Sequence, residues 1–133
     1  MSTEGEDLWR SASTVGGGYM EVEQTTGAAL SERSKFFKIE PTPLAVDLDG
    51  DGIEELMVPQ NLVKEGLVAV VFKGPAGFRL QSIDTGFEGG ITALGAFKTE
   101  DSTQPTIILA VVHFSNFLKT AGDTQIIMTV PQE

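Results

Sequence analysis

The sequence predicts an all-β protein made of antiparallel sheets. From Phe36 onward, apolar runs of strand length alternate with clusters of glycine, proline and polar residues, which is the pattern of strands separated by turns. No segment shows the apolar periodicity of an amphipathic helix. Two stretches also resemble each other at a fixed spacing, which indicates an internal structural repeat.

Strand signals recur along the whole chain. The predicted strands are residues 19–23, 44–46, 56–58, 67–72, 78–83, 91–97, 106–114 and 124–130, with residues 8–10 as a further candidate. Residues 73–77 carry glycine and proline at turn positions and are predicted to form a short hairpin loop. Residues 27–34 fit a helical turn and a mobile loop equally well. The Phe36-Phe37 pair is expected to begin the core.

The repeat divides the predicted β domain into two units. Asn61 and Asn116 each begin a segment of two apolar residues, a lysine and a turn that ends in glycine, and residues 44–46 match residues 94–96. A period of about 50–55 residues in an all-β chain is typical of propeller blades with about four strands each. We therefore predict a flexible or partly ordered segment over residues 1–35 and a β domain over 36–133, with blade-like repeats at about 36–86 and 87–133.

Composition excludes several classes of function. The 133 residues include 19 Asp and Glu against 9 Lys and Arg, which gives a formal net charge of -10. This balance argues against nucleic-acid binding, which needs clustered cations, and favours cation binding. There is no cysteine, so disulfides, thiolate metal sites and a cysteine nucleophile are excluded. The acidic start shows no signal peptide, and no apolar run reaches the length of a membrane span.

The most specific chemistry lies in the acidic stretch from residue 47 to residue 58. Three aspartates alternate there, with Gly50 and Gly52 providing the positive backbone angles of a tightly coiled loop. Calcium prefers six to eight oxygen ligands in a flexible cage, so the stretch predicts a calcium loop. The predicted ligands are the side chains of Asp47, Asp49, Asp51 and Glu55 and the carbonyl of Ile53. The alternative is a solvent-exposed acidic turn, since Asp-Gly pairs are good turn formers.

The spacing separates this loop from the helix-loop-helix calcium motif. That motif needs a bidentate glutamate at loop position twelve, where this chain has Val58. The flanking runs also have the character of strands. The sequence therefore predicts a strand-loop-strand site that Glu55 closes at the ninth position. In the second repeat, residues 98–105 take the place of this loop and lack the alternating aspartates, so no ion is expected there.

The pattern Asp47-x-Asp49-Gly50-Asp51-Gly52-x-x-Glu55-Leu56-x-Val58 between two strands resembles the calcium loop of FG-GAP/VCBS-type repeats. Those repeats form β-propeller blades, as in the integrin α-subunit head and many exported bacterial proteins. The match is specific over about residues 44–61, and the bacterial VCBS type is the closer one. Glu stands at the ninth place, where the family usually has Asp. The resemblance implies that the five ligands named above bind Ca²⁺.

The resemblance also implies how the chain is used. About two blades fit in 133 residues, whereas a propeller closes with at least four, so the chain resembles the C-terminal end of a larger propeller. An extracellular or periplasmic location is implied. The exposed sheet edges would then pair with a second copy or be covered by the N-terminal segment. We expect a calcium-binding structural or interaction domain without enzymatic activity; the alternatives are a module that recognises a protein or glycan with purely structural calcium, and a hydrolase.

Three other features of the sequence have both a functional and a structural interpretation. His113 is the single histidine and lies on an apolar strand, where a buried or edge position is more common than catalysis. No nucleophile elbow accompanies it, which argues against acyl transfer. Trp9 and Tyr19 are expected to pack rather than to line a recognition surface. The glycine-rich residues 86–90 lack the spacing and lysine of a phosphate-binding loop and are predicted to form a turn.

Overall fold

The computed structural model of the chain describes residues 5–17, 20–24, 35–63, 65–83, 86–115 and 121–131. These residues form ten strands and no helix, which confirms the predicted all-β fold. The strands are β1 (Met20–Gln24), β2 (Lys35–Ile39), β3 (Leu44–Val46), β4 (Glu55–Asn61), β5 (Glu65–Gly74), β6 (Gly77–Ser82), β7 (Phe87–Glu88), β8 (Gly90–Phe97), β9 (Thr106–Phe114) and β10 (Gly122–Thr129). Within the described ranges, no helix is long and apolar enough to cross a membrane.

The strands form two larger sheets and a separate hairpin. The first sheet has the order β3-β4-β5-β6, and β7 pairs with the start of β5. The second sheet has the order β10-β9-β8, and β1 pairs with β2 alone. Every one of these strand pairs is antiparallel. The predicted hairpin loop joins β5 to β6, with Gly74 directly opposite Gly77.

The hydrophobic core lies between the two larger sheets. Successive side chains of a strand point to opposite faces, so the inward-facing residues follow a period of two. In the first sheet, Met57 lies opposite Val70, and both are buried on the inner face. Ile107, Leu109 and Val111 of β9 alternate in the same way on the inner face of the second sheet. Both faces of β9 are apolar in sequence, so it is burial that alternates: Ile108, Ala110 and Val112, on the other face, are only partly buried.

Strand β8 holds the two sheets together. It is the strand of the second sheet that packs most extensively against the first, where it contacts β3, β4 and β5. The Asn61 side chain supports this contact: its amide nitrogen donates to the Ile91 carbonyl at 2.9 Å, and its oxygen accepts from the Ile91 N–H at 2.8 Å. The Asn61 side chain therefore makes both hydrogen bonds that a neighbouring strand would make to Ile91. These bonds attach β8 to the end of β4.

The N-terminal segment lies against the first sheet. The Gly16 N–H donates to the Pro59 carbonyl and the Gly16 carbonyl accepts from the Asn61 N–H, each at 2.7 Å. Because β3 pairs only with the first residues of β4, this bridge covers the part of the β4 edge that β3 leaves open. Trp9 packs against Phe78 of β6, with ring centroids 6.2 Å apart. The structure thus shows edge covering by the N-terminal segment; pairing with a second copy stays a prediction.

Several details differ from the sequence-based expectations. Residues 8–10 are not a strand, because the chain there bends across the sheet and makes no ladder hydrogen bonds. Phe37 is half exposed on the β1–β2 hairpin, which pairs with neither larger sheet, so the expectation that it begins the core was wrong. Tyr19, residues 27–34 and the second copy of the repeated segment at Asn116 lie outside the described residues.

The two larger sheets are both antiparallel meanders. The first sheet begins β3-β4-β5 and the second is β8-β9-β10, so three consecutive strands pair in the same order in each. The sequence segments matched by the repeat, residues 44–46 and 94–96, lie in the first strand of each meander. The division of the chain into two blade-like repeats stays a prediction, and these meanders are the structural units to which it refers.

Candidate metal centre

The acidic loop connects two paired strands. Val46 at the end of β3 lies opposite Glu55 at the start of β4, so residues 47–54 form the loop of a hairpin. The flanks are strands, in agreement with the predicted strand-loop-strand arrangement. Since β4 is a central strand of the first sheet, the ends of the loop are fixed by the sheet itself.

Carboxylate oxygens hold the loop in its coiled shape. Asp47 accepts hydrogen bonds from the N–H groups of Gly50 at 2.7 Å and Gly52 at 3.1 Å, one on each oxygen. Asp49 accepts from the Asp51 N–H at 3.1 Å, and Asp51 accepts from the Ile53 N–H at 2.7 Å. These are turns in which an aspartate satisfies backbone donors that no strand can reach.

Both glycines of the loop adopt the left-handed conformation. Gly50 has φ of 82° and Gly52 has φ of 86°, which residues with a β-carbon rarely adopt. The two glycines let the chain reverse direction between successive aspartates. This backbone path brings side chains that are two and eight positions apart to the same side of the loop.

Three carboxylates converge at the centre of the loop. One oxygen from each of Asp47, Asp49 and Glu55 lies within 4.8 Å of the other two, and this cluster could hold a metal ion. Glu55 is buried, with 5% of its surface exposed, whereas Asp47 is half-buried and Asp49 is exposed. The site therefore has a buried floor and an open side, which would give an ion access from solvent.

No basic side chain compensates these charges in the part of the chain that the structure describes. The ion pairs there join Arg10 to Asp7 and His113 to Glu88 and Asp123, and none involves the loop. Glu55 receives one backbone hydrogen bond on Oε2, from the Leu48 N–H at 2.9 Å. Since like charges at this separation repel and burial of a carboxylate is costly, a cation bound among the three would offset both terms.

The remaining predicted ligands have different places. Asp51 lies outside the three-residue cluster, and its Oδ1 accepts from the Ile53 N–H in the last turn of the loop. Ile53 ends that turn with its side chain about half exposed. Its carbonyl stays a predicted ligand. The structure thus brings together three of the four carboxylates, and these include both ends of the loop.

Leu48 contributes to the site in a way that the sequence analysis missed. Its side chain is 9% exposed and belongs to the hydrophobic core cluster, while its N–H donates to Glu55. It stands between two of the clustered aspartates, so burial of one side chain fixes the backbone that carries both. The signal in the sequence was an apolar residue in an otherwise polar loop.

The loop of the second meander has other contacts. Residues 98–105 connect β8 to β9, with the Ser102 N–H donating to the Thr99 carbonyl at 3.1 Å and Pro105 buried. A β-carbon added at Gly50 would lie 3.2 Å from the Thr103 carbonyl, so the two loops lie side by side. Within the described ranges, the acidic loop contains the one cluster of three or more potential metal-ligating side chains.

His113 lies at a junction between the two sheets. Its Nε2 is 3.3 Å from Glu88 of β7 and its Nδ1 is 3.6 Å from Asp123 of β10. Asp123 is its direct partner in the β9–β10 pair. Both ring nitrogens face carboxylates, so the imidazole links β7 of the first sheet to the second sheet.

None of the protein-family models, curated proteins or solved structures compared with the chain matches it.

Proposed function

We propose that the acidic loop binds Ca²⁺ and that the ion stabilises a non-enzymatic, propeller-like β domain of an exported repeat protein. The convergence of Asp47, Asp49 and Glu55 within 4.8 Å is the observation that carries this proposal. The resemblance to FG-GAP/VCBS calcium loops supports it independently and is the basis for the extracellular or periplasmic location. Extracellular calcium modules bind at about 10⁻⁴–10⁻³ M, which suits a site with one side open to solvent.

The choice of calcium follows from the ligands. All three clustered groups are hard carboxylate oxygens, and they belong to a loop that is itself held by hydrogen bonds. Mg²⁺ demands near-ideal octahedral geometry and gives up its waters reluctantly, whereas Ca²⁺ accepts six to eight oxygens in irregular arrangements. Three carboxylates, a backbone carbonyl and water molecules on the exposed side fit the second description.

The ion would act on stability through the strands that the loop connects. Asp47 adjoins β3, Glu55 begins β4, and Leu48 belongs to the core. An ion held by Asp47 and Glu55 would join the edge strand β3 to the interior strand β4. Binding to the folded state alone adds about 2.7 kcal/mol of stability at a hundredfold excess of calcium over Kd.

The test is thermal unfolding with calcium and with a chelator. For a domain of this size we expect calcium to raise the midpoint by roughly 8–15 °C at a hundredfold excess over Kd. Asp49→Ala should abolish the calcium-dependent part of the shift. Glu54→Gln is the matched control, because Glu54 is the neighbouring exposed acid outside the cluster. An unchanged midpoint together with no calcium binding by calorimetry would refute the proposal.

A role in interaction is favoured by a different part of the molecule. β10 is an edge strand of the second sheet, and its Ile126 and Met128 side chains are 63% and 59% exposed. Exposed apolar side chains on a sheet edge are typical of surfaces that contact another chain. The partner would be a protein, a glycan or a second copy of this chain. Light scattering coupled to size exclusion separates these: a monomeric mass at all concentrations would exclude self-association.

A further inference from the structure

A cavity of about 720 Å³ lies between the two sheets. β8 packs against β3, β4 and β5 of the first sheet, and residues of both sheets line the space beside this contact. We call this space the intersheet cleft. The residues that line it include the partly buried Phe72 of β5 and Ile127 of β10 and the buried core residues Val70 and Leu109.

Most of the solvent-exposed residues that line the cleft belong to the ends of β6 and β10, which indicates that it opens there. Ile83 just after β6 and Val130 just after β10 line it and are 46% and 47% exposed. Gln81 and Thr129, which also line it, are exposed as well. These four residues form the mouth, so a molecule can enter without opening either sheet.

Charge restricts what the cleft can accept. Among the described residues that line it, Asp49 is the single charged one, and none is lysine or arginine. A carboxylate or phosphate ligand would therefore meet an aspartate and no counter-charge, in a protein with a net charge of -10. The polar groups that do face the cleft are neutral amides and hydroxyls: Gln81, Ser82, Gln104 and Thr129. Such groups suit a neutral ligand with one or two hydrogen-bonding atoms.

The size and the lining have the properties of a ligand site. Protein interiors are packed as densely as organic crystals, and large apolar voids are costly. Small-molecule sites measure about 300–1,000 Å³ and are mostly apolar with a few polar groups, which describes this space. We propose that the intersheet cleft binds a neutral, largely apolar small molecule whose polar end lies at the mouth or near Gln104.

The acidic loop forms one wall of the cleft, which connects ligand binding to the cation. Leu48 and Asp49 both line the cleft, and Asp49 belongs to the carboxylate cluster. An ion that fixes the loop would also fix this wall and neutralise the Asp49 charge that faces the ligand. Calcium should therefore tighten ligand binding. This coupling rests on the proposed function, whereas the cleft itself does not.

The experiment uses the neutral fluorescent probe N-phenyl-1-naphthylamine with the full chain. We expect saturable fluorescence enhancement at one probe per chain, and tighter binding with calcium than with chelator. Thr129→Trp places an indole at the mouth and should weaken binding by at least about tenfold, because it takes up volume that the probe needs. Thr124→Trp is the matched control: it is the same substitution on the same strand, on the opposite face, and should leave binding unchanged.

Each outcome decides one of the claims. Probe binding that Thr129→Trp does not weaken, or no saturable binding by the wild-type chain while its thermal unfolding is cooperative, overturns the cleft proposal. A dimer that Thr129→Trp dissociates would show that a second copy occupies the cleft, and also overturns it. Probe binding without any calcium binding in calorimetry leaves the cleft proposal standing and refutes the proposed function and the coupling. Calcium binding without probe binding leaves the proposed function standing and refutes the cleft proposal together with the coupling.

Discussion

Two loops have the same place in the two meanders but are held in different ways. Residues 47–54 join the first two strands of the first meander, and residues 98–105 join the first two strands of the second. The first loop is held by aspartate side chains that accept backbone N–H groups. The second uses a backbone turn, the Ser102 hydroxyl and a buried proline. A connection at this place in a meander therefore does not require clustered carboxylates.

That difference shows what the acidic loop adds. Neutral groups are enough to hold residues 98–105: the Ser102 N–H donates to the Thr99 carbonyl, and the Ser102 hydroxyl donates to the Gln104 carbonyl. Asp47, Asp49 and Glu55 bring three carboxylates to one point, an arrangement that could hold a cation. The comparison therefore separates two features of the acidic loop. Its hydrogen bonds to backbone N–H groups fix the path of the chain, and its cluster of three carboxylates could hold a cation.

The largest expected effect distinguishes two aspartates within the acidic loop. Asp49→Asn removes a charge from the cluster, and Asp51→Asn removes one from outside it; both substitutions keep an oxygen that can accept the loop hydrogen bonds. We expect Asp49→Asn to weaken calcium binding by at least about tenfold, or about 1.4 kcal/mol, and Asp51→Asn to weaken it by less than about threefold. Calorimetric titration measures both. Equal losses would show that the ion draws Asp51 into the site, as the spacing of the sequence predicts.

The next effect concerns the two left-handed glycines. Gly50→Ala and Gly52→Ala both place a β-carbon at positive φ, which costs roughly 1–2 kcal/mol. At Gly50 the added carbon would also lie 3.2 Å from the Thr103 carbonyl, whereas at Gly52 nothing lies within 4 Å. Gly50→Ala should therefore be the more destabilising of the two in urea unfolding. The reverse order would mean that the two loops do not contact each other in solution.

The smallest effect is expected in the second loop. Asp101→Asn and Glu100→Gln remove exposed charges from residues 98–105, and neither carboxylate belongs to a metal-ligating cluster. Surface substitutions of this kind usually change stability by less than about 0.5 kcal/mol. The calcium-dependent shift of the melting midpoint should equal that of the wild type. A reduced shift in either variant would show that the second loop contributes to the cation site.

The strand pattern of the chain was largely predictable from the sequence. The runs at residues 67–72, 91–97 and 106–114 lie within β5, β8 and β9, because each is rich in apolar residues and ends at turn residues. Residues 8–10 have the same local character and form no strand. A strand needs a partner of suitable register, and the short run gives no information about whether a partner is near.

The candidate site was predictable in its residues but not in their grouping. The alternation of aspartate and glycine identified Asp47, Asp49 and Glu55, because such spacing suits a tight loop between strands. The same pattern predicted Asp51 as a ligand as well, since the three aspartates are evenly spaced. Only the folded loop shows that Asp51 is directed to Ile53 and that the Leu48 N–H reaches Glu55.

The sequence by itself determined the all-β class, the acidic loop and the absence of cysteine chemistry, because each follows from local pattern and composition. The tertiary structure decided which carboxylates converge, that Asn61 fixes the second sheet through Ile91, and that residues of both sheets line a cleft. Those features depend on how strands distant in the chain pack against each other. Periodicity within a strand indicates which face is apolar, but it does not indicate which other element packs against that face.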